Sequence, residues 1–339
     1  EEVLDRRYEG LDPDSPFAQL ADTLGAGRDD SRLVQIVLDI FGRVQSHPDP
    51  GRWLEEQKQL WELEGVTDMA RTPWGALLLE DGKRQARWCR ERLSQALALA
   101  EGDELLQINY VPGLSAVLEQ LDSLLSARSW DQAASCLPVT FPAAGRKKKR
   151  TLEISPMEEE RAARAGERVK AIRTRCKKVL DKTAQSLEGD SAALLEELAL
   201  SRPAVRALMD LVLDFQRAYA QEKARRGLLD FSDLEHFAVK LLLDGGGEPT
   251  PLARSWSARF DEVLVDEYQD TNQVQNAIFS ALSDGGRKLF QVGDVKQSIY
   301  RFRLADPTIF LDKYRRFPDG DEAAEGEPRR RVLSRNFRS

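Results

Sequence analysis

The sequence predicts a mainly α-helical protein with a smaller, partial α/β part. Two observations carry that prediction. Apolar residues recur at helical spacing through roughly the first 240 positions, and near residue 262 the pattern changes to two short β-rich runs separated by a single helix.

The first helices are amphipathic and broken by Pro and Gly, with clear apolar stripes at 33–41 and 93–100. His47-Pro-Asp-Pro-Gly-Arg-Trp53 reads as a turn that starts the next helix, because proline restricts the residue before it and Asp49 can cap. His47 is read as structural. Residues 141–156 form a basic, Pro-containing connection. Residues 157–187 and 193–226 are charged and helix-favouring. Pro203 is expected to open a helix whose Val205, Leu208, Leu211, Val212 and Phe215 share one face. A helix follows over 228–243, with Ser232 or Asp233 near its N-terminus and the Gly245-Gly-Gly247 run at its end. Residues 262–265 and 288–293 then read as strands, with a helix over 273–282 between them. Strand, helix, strand at this length is a βαβ unit, which implies a parallel sheet with chemistry at the carboxyl ends of its strands.

Composition excludes several classes of protein. A hydrophobic content of 41% is ordinary for a chain with a packed core, and a disordered tail is excluded for the whole. No apolar run approaches the roughly 20 residues that span a bilayer, and the N-terminus has no signal-peptide layout, so no membrane partner is expected and a cytoplasmic location is. Cys89, Cys136 and Cys176 are far apart in sequence and read as buried thiols. The formal net charge of -7 argues against coating nucleic acid by bulk electrostatics. Local contacts could come from 146–150 (Arg-Lys-Lys-Lys-Arg), or from 223–226 (Lys-Ala-Arg-Arg) with Lys177 and Lys178 as a weaker companion.

The chemistry gathers after residue 260. Val263-Leu-Val-Asp266-Glu267 has the form of an apolar strand, buried between helices, that delivers a carboxylate to its exposed end. There Asp266 can hold Mg2+ directly or through water, and Glu267 can orient or deprotonate an attacking water. Asp266-Glu-Tyr-Gln-Asp-Thr271 closely resembles helicase motif II of the UvrD/RecB branch of superfamily 1. Gly293-Asp-Val-Lys-Gln-Ser-Ile-Tyr-Arg-Phe-Arg-Leu-Ala-Asp306 resembles motif III, and Leu333-Ser-Arg-Asn-Phe-Arg-Ser339 resembles motif IV, in the family's order. The wording of motif III and the long helical region before motif II are most similar to the AddA-type subunits of bacterial helicase-nucleases.

That resemblance implies a P-loop NTPase architecture: a helical 1B-like insertion over 1–220, an incomplete RecA-like parallel-sheet motor domain 1A over 221–330, and the start of domain 2A over 331–339. It implies ATP and Mg2+ as cofactors, single-stranded and duplex-end DNA as substrates and, as heterodimer partner, an AddB-type subunit. Gln297 then senses the γ-phosphate. Tyr300 and Phe302 offer flat faces for unpaired bases, the family often having tryptophan where Phe302 stands. Arg301 and Arg303 flank that ring and could contact the strand or the nucleotide, and the resemblance favours Arg303 as the coupling residue. Phe337 stands where the family commonly places tyrosine against adenine, and Arg338 matches the arginine directed at the γ-phosphate.

One family element is missing from the 339 residues. They contain no GxxxxGK[ST] phosphate loop, and the Gly82-Lys83 pair does not fit that pattern. The chain is therefore expected to be an internal fragment of an ATP-dependent helicase/exonuclease subunit, with little ATPase of its own. Two alternatives stand beside that expectation: a DNA-binding or partner-docking module without catalysis, and a fragment of a stand-alone UvrD-like repair helicase.

Overall fold

The computed structural model describes residues 2–24, 30–147, 149–151, 153–299 and 304–333. It is mainly α-helical with a two-stranded parallel sheet, and it divides into two compact units, Leu60–Arg202 and the combination of Glu1–Gln59 with Pro203–Ser339. The sequence grouped everything up to 220 together, whereas the units divide at 59/60 and at 202/203.

Helices α1 (Glu2–Tyr8), α2 (Pro16–Leu24), α3 (Ser31–Val44) and α4 (Pro50–Gln59) open the chain. Asp49 caps α4 as expected, accepting from Arg52 N at 3.0 Å. The Leu60–Arg202 unit is built on α5 (Pro73–Glu101), α6 (Glu104–Ser126), α7 (Trp130–Ser135) and α8 (Pro156–Ser186). Each long helix starts where a side chain can take up orphan amides. Thr72 accepts from Gly75 N, Asp103 from Leu105 N and Leu106 N, and Ser155 forms a capping box with Glu158. Ala86, Cys89, Leu93, Ala96 and Ala100 make a fully buried stripe on α5, with helical three- and four-residue spacing. It meets Leu114, Val117, Leu121 and Leu124 of α6 and Val169, Cys176 and Leu180 of α8. Small residues along α5 let its neighbours approach closely. Each buried leucine in this core stabilises the unit by roughly 1.5–3 kcal/mol. The three cysteines are free thiols; Cys89 and Cys176 are buried as expected, whereas Cys136 is only half-buried. Gly82 and Lys83 lie within α5; Gly82 packs on Leu187 and Thr183, and Lys83 donates to the Ala127 carbonyl, so the pair is part of the helical scaffold.

Helix α9 (Ser191–Arg226) runs through Pro203. The expectation that Pro203 opens a helix is therefore corrected: it sits inside a continuous one, at the point where the two compact units divide. Proline there removes one backbone donor and crowds the preceding turn, a local cost offset by packing on both sides. Past Pro203, Leu211, Val212 and Leu213 join Leu33, Val37, Val44 and Leu54 in a second core, where Phe41 meets Phe215 edge-on at 5.0 Å.

The rest of that unit is α10 (Phe231–Leu242), α11 (Pro251–Ser257), β1 (Val263–Val265), α12 (Gln273–Leu282), β2 (Leu289–Gln291) and α13 (Pro307–Arg316). Asp230 caps α10 in a box with Asp233, and Ser232 and Asp233 lie in the first turn, near the N-terminus as expected. His47 is structural, as read: its Nδ1 lies 2.9 Å from Gln273 Oε1, its ring stacks on Trp53, and its carbonyl accepts from His236 Nε2 at 3.0 Å. Burial pushes the His47 pKa down against the raising effect of the Gln273 contact. No helix among the described residues is long and apolar enough to cross a membrane.

Candidate active site

β1 and β2 pair in parallel, with Val263 opposite Leu289, Leu264 opposite Phe290 and Val265 opposite Gln291. Val263 and Val265 are half-buried, whereas Leu264 is 68% exposed and Phe290 60%. The expectation of a strand buried between helices is therefore corrected: β1 has no buried residue, Val263 and Val265 being half-covered on one face and Leu264 open on the other. Both strands end at the same edge, and the chemistry-bearing residues follow them there.

Asp266 and Glu267 are exposed at the end of β1. Asp266 Oδ1 accepts from Glu267 N at 2.8 Å. Glu267 adopts a left-handed backbone, φ 48° and ψ 40°, which costs a non-glycine residue about 1 kcal/mol or more. The turn is held by Tyr268 N donating to the Val292 carbonyl at 2.8 Å, which ties the end of β1 to the end of β2. It then enters a 3₁₀ turn, Tyr268–Asp270, whose Tyr268 and Gln269 are buried.

Gln269 connects the two loops. Its Nε2 donates to Glu267 Oε2 at 2.7 Å, and its Oε1 accepts from Asp294 N at 3.0 Å. The Asp294 carboxylate in turn accepts from Gln297 Nε2 at 2.9 Å and from Lys296 N at 3.0 Å, and these bonds lower its pKa, the Gln297 contact most. Gln297 and Glu267 thus belong to one hydrogen-bonded chain of side chains and a backbone amide. The stretch 269–271 also holds both flanks of motif III: Ser298 Oγ lies 3.5 Å from the Gln269 carbonyl, and Asp306 N donates to the Thr271 carbonyl at 3.0 Å.

Of the residues singled out from sequence, Asp266, Glu267 and Gln297 are placed by this geometry. Tyr300, Arg301, Phe302, Arg303, Phe337 and Arg338 lie outside the described residues. Sequence reasoning quoted Gln269 and Asp294 within their motifs but gave them no role. The signal available was a neutral amide among acids and aromatics, and its partner lies 25 residues away in sequence.

Among the described residues no group of three or more His, Cys, Asp or Glu side chains is placed to hold a metal. A single exposed carboxylate at Asp266 is a hard-oxygen donor of the kind Mg2+ takes when phosphates and water complete its shell, so the residues present fit a nucleotide-borne Mg2+ better than a protein-caged ion. The basic clusters are partly paired. Lys147 bonds Glu104 at 2.6 Å, Arg150 pairs with Asp103, Lys223 bridges Asp230 and Asp233 at 2.7 and 2.6 Å, and Arg225 and Arg226 both reach Glu222.

The sequence profile of the UvrD/REP helicase N-terminal domain matches residues 108–318. Across its whole length the chain is 39% identical to the AddA-type ATP-dependent helicase/nuclease subunit of Moorella thermoacetica, covering 24% of that protein. It is likewise 36% identical to the corresponding protein of Acetivibrio thermocellus and 32% identical to that of Listeria monocytogenes, covering 27% of each. The chain thus spans about a quarter of the length of these relatives.

Proposed function

The chain belongs to the UvrD/REP helicase family, in its AddA-type branch, and we propose that it forms part of an ATP-driven DNA motor. The motor moves along single-stranded DNA and unwinds duplex ends for double-strand break repair and recombination, together with an AddB-type partner. In this reading the sheet-bearing unit is part of a RecA-like, P-loop-type domain 1A, Leu60–Arg202 is the helical 1B-type insertion, and domain 2A starts near 331. The observation that carries the reading is the convergence of Asp266, Glu267 and the Gln297 loop at the carboxyl edge of one parallel strand pair.

Asp266 is the residue that would hold Mg2+, which supplies charge neutralisation at the β- and γ-phosphates. Glu267, set beside it by a left-handed turn, orients the attacking water and takes its proton. Gln297, held by Asp294, lies in the loop that senses the γ-phosphate. By family correspondence Arg338 stabilises transition-state charge, Phe337 stacks on adenine, Arg303 couples nucleotide to DNA, and Tyr300, Arg301 and Phe302 contact the strand. Without a GxxxxGK[ST] loop, the 339 residues alone hydrolyse little ATP.

The test is Glu267→Gln in the full-length protein. DNA-stimulated ATPase is expected to fall by about 10²- to 10⁴-fold, with single-stranded DNA binding retained. Undiminished turnover refutes the assignment. The binding-module alternative draws less support from the basic clusters than their sequence suggests, because Lys147, Arg150, Lys223, Arg225 and Arg226 are engaged by acids.

A further inference from the structure

We infer that Gln269 is a positioning residue that couples the orientation of the Glu267 carboxylate to the position of the Gln297 loop. The inference rests on the reading of Glu267 as the water-activating group, and it assigns a job to a buried residue beside it.

The polarity of the Gln269 amide is fixed from both ends. The backbone N–H of Asp294 can only donate, so the oxygen must face it, at 3.0 Å. An ionised Glu267 carboxylate can only accept, so the nitrogen must face it, at 2.7 Å. Turning the amide over would set like against like at both contacts. Gln269 is 1% exposed while Glu267 and Asp294 are exposed, so it is the glutamine amide that would be left unmet in the interior if either bond were lost.

The surroundings are shaped for this side chain. A Cβ on Gly293 would lie 2.6 Å from Gln269 Oε1 and 3.2 Å from Gln269 N, so glycine leaves the channel through which the amide reaches Asp294. Beyond Asp294 the chain continues in the same sense, because its carboxylate accepts from Gln297 Nε2 at 2.9 Å. Movement of the Gln297 loop therefore pulls on Asp294 N, then on the Gln269 amide, then on Glu267. Glu267 is itself exposed and sits on a strained left-handed backbone, and the Gln269 bond gives its carboxylate a fixed direction. A glutamine that only filled the core would not need a donor at one end and an acceptor at the other, each on a different loop of the site.

The test compares Gln269→Glu and Gln269→Met in the full-length protein with its partner, with Glu267→Gln in parallel. Gln269→Glu keeps an acceptor for Asp294 N and so preserves the loop, but sets a second carboxylate against Glu267. It is expected to lower kcat of DNA-stimulated ATP hydrolysis by roughly 10- to 100-fold, with KM for ATP within about threefold. Gln269→Met, of similar length without hydrogen bonds, is expected to lower kcat similarly. Combined with Gln297→Met, it should stay within about threefold of the worse single variant, because both substitutions break one chain. A Gln269→Glu variant that keeps kcat within about twofold overturns the inference, as do Gln269 and Gln297 losses that multiply. Failure of both Gln269 variants to fold also overturns it, by making Gln269 a core residue. If Glu267→Gln is itself active, the underlying reading fails. If Glu267→Gln is inactive and Gln269→Glu active, only the role of Gln269 fails.

Discussion

The ammonium of Lys313 lies 2.6 Å from the hydroxyl of Tyr268 and 4.6 Å from the centroid of the same ring. Tyr268 donates onward to Asn276, so its oxygen accepts from Lys313 while its proton is committed elsewhere. The pairing ties helix α13, which follows motif III, to the residue after Glu267. Burial, with repulsion from Arg316, lowers the Lys313 pKa to about 8, and burial raises that of Tyr268 to about 12 against the lowering effect of Gln291.

The sign of the pH effect follows. Between about 8 and the ordinary 10.5 the unfolded chain keeps a proton on residue 313 that the folded chain has released, so stability rises with pH across that window. Above the ordinary Tyr value of 10.0 the unfolded tyrosine ionises while the folded one does not, and stability falls again. From pH 7.5 to 9.5 the stability of the native protein relative to Lys313→Met should rise by about 1–2 kcal/mol, the lower figure allowing for solvent screening at this half-buried site. Urea denaturation at several pH values checks this, and a flat difference would contradict it.

Gly293→Ala tests the space around Gln269. The new methyl group would meet Gln269 Oε1 at 2.6 Å and the Gln269 backbone nitrogen at 3.2 Å, so the loop after β2 must give way. The cost to stability should be about 1–3 kcal/mol, with a loss of DNA-stimulated ATPase of at least about tenfold in the full-length protein. A fully active alanine variant would show that this approach is not needed for turnover.

Much of this arrangement was legible in the sequence because it is local. The helix at Gln273–Leu282 begins and ends where periodicity put it, and the parallel pair follows from the length of its crossover. Pro203 was misjudged because packing on either side of it outweighs proline's local preference, which a linear reading weighs alone. The start of α10 was legible as well, because Asp230, Ser232 and Asp233 are all residues that take up orphan amides. Asp230 is the cap, and Lys223 from the preceding helix bonds both Asp230 and Asp233. The Glu267–Gln269–Asp294–Gln297 chain was illegible because its central link is a backbone amide, which leaves no mark on residue type.

That cap carries a prediction of its own. Asp230 accepts from Asp233 N at 3.0 Å, Asp233 returns the bond to Asp230 N at 2.8 Å, and both carboxylates hold the Lys223 ammonium. Asp230→Ala should cost about 1–2 kcal/mol, and Asp230→Asn, which keeps the acceptor, should recover most of it. Equal losses in the two variants would place the stabilisation in the ion pair instead.

The 146–150 cluster gives the sharpest contrast between sequence and surface. Read linearly it is a cationic patch suited to phosphates. Folded, two of its members are taken up: Lys147 bonds Glu104 at 2.6 Å and Arg150 pairs with Asp103, the residue that also caps α6. A cation already neutralised by a carboxylate displaces few counterions when DNA approaches, so it adds little to the salt dependence of binding. The double substitution Lys147→Gln with Arg150→Gln should therefore change single-stranded DNA affinity by less than about twofold, and the slope of log K against log salt by less than about 1. It should instead lower thermal stability, because Asp103 loses a partner while still capping α6. Fluorescence anisotropy across a salt series decides the matter, and a slope falling by about 2 would return the cluster to the DNA-binding surface.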